Sequence, residues 1–346
     1  MTGKKQLRVG IAGYGVVGKR RHHYIDQNPA FRTIAVSDVT TEREGEGPDG
    51  VVYFKDFEKL YDCGLDVLFV SLPNYLAADA TIRALERDIH VFCEKPPACN
   101  VSDVRRVIEV EKNHPRIRLK YGFNHRYHYS VIEAKRVIDS GAFGKVTNIR
   151  GVYGKSSIIP FSGGWRSERK LAGGGILLDQ GIHMLDMIRY FTGDYDEIKS
   201  FVSNDYWCHD VEDNAYAIMR NKEGCVAMIH STATQWQHKF RLEITLNEAL
   251  MELTGILSGS KSYGEEKLRL IPRKEGCVVG SFEEQTTSYL DDHSWRDEVN
   301  EFADIVVQGK PVENGNSTDA LKVMEMVFKI YNADNRWRET YNIEKA

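Results

Sequence analysis

Nowhere in the 346 residues does an apolar run approach the ~18 consecutive residues that a bilayer-spanning helix needs. The first residues, MTGKKQLRVG, enter a strand-like segment directly, with no apolar leader and no small-residue cleavage site, so no secretory signal is expected. Six cysteines, at 63, 93, 99, 208, 225 and 277, form no CxxC pair and follow no regular spacing. They are expected to be reduced thiols of a cytoplasmic protein rather than a disulfide framework. Basic and acidic residues, 46 and 50 for a net charge of −4, are mixed along the chain without a basic stripe. A nucleic-acid or membrane-surface partner is therefore not expected. No internal repeat and no low-complexity linker interrupts the sequence. What remains is ordinary globular material, 42% apolar and 28% charged, long enough for two cores.

The first third alternates short apolar runs with helical patterns, the mark of parallel βαβ units. Strands are predicted over 7–12, 31–37, 65–71, 88–93 and 116–122, and helices around 17–27, 56–62, 75–87 and 101–113. Asn100 or Ser102 can cap the last of these helices, and Pro115 stops it. After about residue 123 the pattern changes. A helix near 127–140 ends at Gly141, and β-branched and aromatic runs near 196–203, 214–220, 225–234 and 239–247 are joined by short polar turns. Helices near 294–308 and 319–334 close the chain. The expectation is two domains, 1–123 of α/β class with a doubly wound parallel sheet, and 124–346 of α+β class.

The first strand runs into Gly13-Tyr14-Gly15-Val16-Val17-Gly18 and then a helix. In that context G-x-G-x-x-G is a dinucleotide-binding fingerprint. One glycine makes the tight turn, one lets the backbone approach the pyrophosphate, and one packs helix on strand. The helix N-terminus then faces the phosphates. Asp38 follows the second strand, 20 residues beyond Gly18, where an acid accepts bonds from ribose hydroxyls and repels a 2′-phosphate. NAD is accordingly preferred. NADP stays open, because Arg43 with Thr40 and Thr41 can reach a phosphate if Asp38 turns away, and Asp38 itself can be read as a loop-capping acid. Ser71, Pro73 and Asn74 follow another strand end and are expected near the cofactor, as is Glu94.

Lys95 follows the strand that ends at Cys93, ahead of Pro96 and Pro97, where open α/β sheets border their ligand crevice. Further on stands GGGILLDQGIHMLD, residues 173–186. At 100° per residue, Asp179, His183, Asp186 and Tyr190 share one narrow stripe of a helix that is otherwise apolar nearly all round. Such a helix is buried, and its polar stripe must be paired inside or face a pocket. Gly173, Gly174 and Gly175 leave room for a ligand beside the backbone. A satisfied core histidine at 183 is the plain alternative. A metal on the Asp-x-x-x-His pair lacks a clear third ligand, so no metal is expected.

These pieces together resemble the glucose–fructose oxidoreductase / inositol dehydrogenase / MocA family of dehydrogenases. The matching segments are GIAGYGVVG, Glu94-Lys95-Pro96, GFNHRYH (122–128), VIDSGAFGKVTNIRG (137–151) and GGGILLDQGIHMLD, in that order. The resemblance implies a Rossmann domain followed by a domain with a large, mostly antiparallel open sheet, through whose face family members pair as dimers or tetramers. It implies Lys95, Asp179 and His183 as the catalytic lysine, aspartate and histidine, with Asn124 near the nicotinamide and the reacting carbon. One departure stands out. Where the family often reads Pro-Asn-x-x-His, Pro73-Asn74 is followed by Ala77.

The expected reaction is hydride transfer between a nicotinamide cofactor and a secondary hydroxyl, or the corresponding ketone, of a sugar, polyol or nucleotide sugar. Beside Lys95, Asn124, Asp179 and His183, the residues expected to line the substrate pocket are Tyr153, Lys155, Trp165, Arg166, Trp236 and His238, with His293 nearby. The competing expectations are an NADP-dependent reductase of a non-sugar carbonyl compound and a non-catalytic dinucleotide sensor. The presence of Lys95 and His183 speaks against the sensor.

Overall fold

The computed structural model describes residues 6–159, 163–258, 261–273 and 283–343, and the statements below concern those residues. Cys277 lies outside them. The chain divides into two compact units. The first holds the residues up to Phe123, with Lys170–Gly173 and Trp295–Leu321. The second holds Asn124–Arg169, Gly174–Ser294 and the residues from Lys322 onward.

The first unit is a seven-stranded sheet in the order β3-β4-β2-β1-β5-β6-β7. Its strands are β1 (Leu7–Ala12), β2 (Phe31–Ser37), β3 (Gly45–Glu46), β4 (Val52–Phe54), β5 (Val67–Val70), β6 (His90–Glu94) and β7 (Leu119–Gly122). All neighbours pair in parallel except β3 with β4. Between the strands come α1 (Val16–Ile25), α2 (Asn74–Leu85) and α3 (Val101–Asn113), with a 3-10 turn at Phe57–Cys63. Asn100 caps α3 by accepting from the Asp103 N–H. Strand order reverses at β1, whose neighbours are β2 on one side and β5 on the other, so the ligand crevice of this sheet lies past the ends of β1 and β5.

The core of this unit draws on the far end of the chain. Phe69 stacks on Phe92 with centroids 4.9 Å apart, and Phe302 packs edge-on against both. Phe302 belongs to α7 (Ser294–Gln308), so a helix far beyond β7 in the chain completes the hydrophobic core of the parallel sheet. Each such ring removed from water contributes roughly 1.5–3 kcal/mol, and each aromatic pair about 0.5–1.5 more. The same helix supplies a buried ion pair. Arg21 of α1 donates to Glu94 and to Glu298, both at 2.6 Å, and its guanidinium lies over the rings of Phe92 and Trp295. Burial raises the Glu298 carboxyl above its usual range, and the charges of Arg21 and Lys120 pull it back only in part.

The second unit is an eight-stranded sheet, β15-β14-β13-β12-β8-β11-β10-β9, antiparallel except where β8 meets β11. Its strands are β8 (Val146–Ser156), β9 (Glu197–Ser203), β10 (Asn214–Arg220), β11 (Val226–Gln235), β12 (Lys239–Leu246), β13 (Ala249–Thr254), β14 (Glu266–Pro272) and β15 (Gln285–Tyr289). Along β10 burial alternates strictly after Ala215, as in a sheet with one covered face. The covered face carries α4 (Tyr129–Asp139) and α6 (Ile182–Thr192), which the short α5 (Arg169–Ala172) precedes in the chain. The other face leaves Phe201, Tyr216, Ile218 and Met228 exposed. The chain closes with α8 (Ser317–Ala333) and α9 (Asn335–Tyr341).

Replacing Arg21 by Met would remove the cation bonded to both the wholly buried Glu298 and Glu94. A loss of about 3–5 kcal/mol is expected in urea unfolding. A loss below about 1 kcal/mol would contradict this account of the α1–β6–α7 junction.

Candidate functional site

In the first unit the three fingerprint glycines separate by what a side chain would meet. Gly13 has φ +89°, and a Cβ there would lie 2.4 Å from the Ser71 carbonyl oxygen. The tight turn thus brings the ends of β1 and β5 together. A Cβ on Gly18 would lie 2.1 Å from the Gly13 carbonyl, which fixes how closely α1 packs on β1. Gly15 is different. Its Cβ would meet nothing nearer than Asp38 Oδ2 at 3.9 Å, so open space faces the N-terminus of α1. That opening is a cradle for a dinucleotide pyrophosphate, approached by backbone N–H groups. Val16, first residue of the helix, is 78% exposed there, Val17 follows it, and Tyr14 is held by its hydroxyl on His22.

Asp38 is anchored beside this opening. Its Oδ1 accepts from the Thr40 backbone N–H at 2.9 Å and the Thr40 hydroxyl at 2.6 Å. Lys95, half-buried, follows β6 and precedes Pro96 through a cis peptide bond. The neighbouring predicted positions have structural duties. Glu94 is bonded to Arg21, and the buried Asn74 donates to the Ala172 carbonyl at 2.7 Å. Ser71 supplies a backbone N–H to Ala12, Pro73 leads into α2, and Ala77 lies buried on that helix.

In the second unit, Asp179 and His183 sit on a modified helix. Residues Leu177–Gly181 are wound as a π-helical turn that runs into α6. In such a turn each residue advances by less than 100°, and π turns recur at functional sites. The regular stripe expected from the sequence is therefore split. Asp186, wholly buried, is taken by a two-pronged ion pair with Arg126 at 2.8 and 2.6 Å, and Tyr190 lies beneath the Arg126 guanidinium. His183 remains with Asp179 ahead of it. The His183 ring, 5% exposed, stacks on His125 with centroids 3.8 Å apart and planes 13° from parallel.

Two carboxylates hold this arrangement. The carboxylate of Glu212, wholly buried, accepts from the backbone N–H groups of Gly175 and Leu177 at 2.7 and 3.0 Å and from the Tyr331 hydroxyl at 2.6 Å. It caps the start of the Asp179 turn, and burial raises its carboxyl despite those bonds and the charge of Arg169. Glu266 accepts from His128 at 2.7 Å and from the Ser130 N–H at 3.0 Å, pinning the start of α4. Burial alone would raise Glu266, but the bond and charge of His128 outweigh it and the carboxyl falls below its usual range. Gly174 and Gly175 correct an expectation. A Cβ would lie 2.2 Å from the Tyr331 hydroxyl and 2.0 Å from the Glu212 carbonyl, and Gly173 is likewise crowded by Cys99. The chain's own atoms, not a ligand's, require these glycines.

Tyr153 joins the cluster through its hydroxyl, 3.1 Å from His125 Nε2. Asn124 contacts His125 from the other side at 3.2 Å. Tyr263, bonded to Gln180, packs on Tyr153 and on His238. Burial, with the charge of Asp179 adding to it, raises the Tyr263 phenol to about 12. Burial and then Lys155 lower the His238 imidazole. Trp165 and Arg166 stack on each other at 4.3 Å, Trp236 is 76% exposed, and His293 lies against Tyr129. His125, Gln180 and Tyr263 are the site residues that sequence reasoning missed. His125 and Gln180 had a visible signal, their places within GFNHRYH and GGGILLDQGIHMLD, and Tyr263 had none.

Comparison with known proteins follows these halves. The pattern described as an oxidoreductase family with NAD-binding Rossmann fold matches residues 7–123, and that of the GFO/IDH/MocA C-terminal domain matches 131–252. Levoglucosan dehydrogenase of Pseudarthrobacter phenanthrenivorans is 29% identical over 213 residues, 58% of this chain and 54% of that protein. Myo-inositol 2-dehydrogenase of Thermotoga maritima is 28% identical over 250 residues, 69% and 72% of the two chains. The matched stretch thus spans about half of the first relative and somewhat more of the second. A levoglucosan dehydrogenase structure in complex with NADH superposes with a TM-score of 0.83 at 20% identity, covering 96% of this chain and 98% of that one, a likeness of fold.

The glycine geometry separates binding from stability. Gly18→Ala is expected to cost about 1–3 kcal/mol in denaturant unfolding, because backbone must shift. Gly15→Ala should leave stability within about 0.5 kcal/mol while weakening dinucleotide binding tenfold or more by fluorescence titration. Equal effects of the two substitutions on stability would refute the division of roles.

Proposed function

We infer the chemistry from one premise: the chain belongs to the GFO/IDH/MocA family of oxidoreductases. On that premise it is a dehydrogenase that moves a hydride between a nicotinamide dinucleotide and a CH–OH carbon of a sugar or polyol. The observation that carries this reading is the buried His183, stacked on His125 and four residues after the half-buried Asp179, on a helix that is apolar over most of its surface.

The dinucleotide fits the residues present. Gly15 faces open space at the start of α1 with Asp38 beside it, while Gly13 and Gly18 are closed by the chain itself. Thr40 pins the Asp38 carboxylate, which favours ribose hydroxyls and so NAD(H) over the 2′-phosphate of NADP(H). When bound, the nicotinamide takes up or supplies the hydride. His183 accepts the hydroxyl proton at an imidazole nitrogen, a group whose ordinary pKa suits neutral pH. The Lys95 ammonium donates to the reacting oxygen and supports its developing negative charge. Asp179 orients substrate hydroxyls, with Tyr153, Asn124 and His238 as further contacts. The named relatives act on levoglucosan and myo-inositol. A ring polyol or sugar is the substrate class we assign here.

Two further parts of the reading rest on single observations. The free cysteines Cys63, Cys93, Cys99, Cys208 and Cys225 fit a reducing, cytoplasmic setting. The exposed Phe201, Tyr216, Ile218 and Met228 on the open sheet face fit pairing with a second copy of the chain.

The test is nicotinamide absorbance with NAD⁺ or NADP⁺ across inositols, anhydrosugars and glucosides. Lys95→Met should lower kcat by about 10²–10⁴-fold with NADH affinity unchanged. Near-normal turnover in that variant would sink the assignment of Lys95.

A further inference from the structure

Behind His183 lies an imidazole whose protonation is set by a directional chain of hydrogen bonds. Ser294 donates its backbone N–H at 3.0 Å and its hydroxyl at 2.6 Å to Oδ1 of Asp292. A hydroxyl has one proton, so Ser294 Oγ is left to accept from Asn124 Nδ2 at 3.1 Å. That bond turns the Asn124 amide, nitrogen toward Ser294 and oxygen toward His125. An amide oxygen only accepts, so its 3.2 Å contact puts a proton on His125 Nδ1. On the far side of the ring, Nε2 lies 3.1 Å from the Tyr153 hydroxyl. Burial, reinforced by Tyr263, pushes the Tyr153 phenol well above its usual range, so it keeps its proton and can donate. With Tyr153 as the donor to Nε2, every link from Asp292 to Tyr153 points one way, and His125 is then neutral, with its proton on Nδ1.

The consequence falls on His183. Its ring lies 3.8 Å from this neutral imidazole and 13° from parallel. Two charged rings at that separation would repel strongly, whereas a cation over a neutral aromatic face is attracted. We propose that His125 is a positioning residue that backs His183: the Asp292–Ser294–Asn124 chain fixes it as the neutral Nδ1–H form, and its ring face supports the positive charge that His183 gains with a proton. This rests on the reading of His183 as the base of the reaction. The charged and titratable neighbours of the pair are Asp179 and Asp186 on the His183 helix and Arg126 beside His125. From other elements come Tyr153 on β8, and His128 edge-on to His125 at 5.3 Å with its own partner Glu266. Arg126 is paired with Asp186, and His128 is bonded to Glu266.

The experiment is nitrogen NMR of the full-length protein carrying ¹⁵N-labelled histidine, titrated from about pH 5 to 9. His125 signals are assigned by their loss in His125→Phe or, should that variant not fold, in His125→Gln. His125 is expected to keep one protonated and one bare nitrogen throughout, with the proton on Nδ1. Ser294→Ala should release it, giving averaged tautomers or a titrating ring. The His183 midpoint should fall by about half a pH unit in His125→Leu. A doubly protonated His125, a proton on Nε2, indifference to Ser294→Ala, or an unmoved or raised His183 midpoint would each overturn the proposal. None of these signals depends on turnover. The reading of His183 as the base fails separately, if His183→Ala retains activity.

Discussion

A polar side chain on a helix that is apolar nearly all round has to be satisfied from within, and the second unit is organised around that requirement. Each of the groups around α6 meets it differently. Asp186 takes Arg126 as a two-pronged partner, and the backbone at the start of the preceding turn takes Glu212. The His183 ring stacks on that of His125. Leaving any of these donors or acceptors unmet in a buried setting would cost on the order of 1–3 kcal/mol, and more for a charge. The demand explains why the π turn, the capping carboxylate and the stacked histidines occur together.

The parallel-sheet unit solves the opposite problem, which is to leave a place open. Its glycines are closed by the chain's own backbone at Gly13 and Gly18 and open only at Gly15, so the turn is rigid where it must be and empty where phosphates would come. The sheet beneath is held by aromatic contacts and by a buried arginine, and both reach α7. A helix late in the chain thereby supports the first loop of the dinucleotide cradle, because Arg21 lies on α1 just past Gly18.

Much of this was legible in the sequence, and the reason is local. Five strands of the parallel sheet and the fingerprint turn depend on periodicity, φ and neighbouring residues, and they stand within a few residues of where the pattern placed them. The short β3 and β4 had no such pattern, and of the two caps offered Asn100 is the one used. The two sheets and the family resemblance follow in the same way. What pattern does not carry is pairing across long separations. Glu212 is 35 residues from the turn it caps, Glu298 is 277 from Arg21, and Phe302 returns to a core begun at Val9. The Asp179–His183–Asp186 stripe was drawn at 100° per residue, and a π turn is invisible to that rule. Gly173–Gly175 looked like an approach for a ligand because a sequence does not reveal that Tyr331 and Glu212 lie against them.

The central claim is hydride transfer from a sugar or polyol carbon. The most direct measurement is mass analysis of NADH formed from NAD⁺ with ring polyols and sugars deuterated at their CH–OH carbons. The account predicts deuterium in the reduced nicotinamide for at least one such substrate, and none when His183 is replaced by Ala. Tight binding of the dinucleotide with no deuterium transferred from any of them would contradict it.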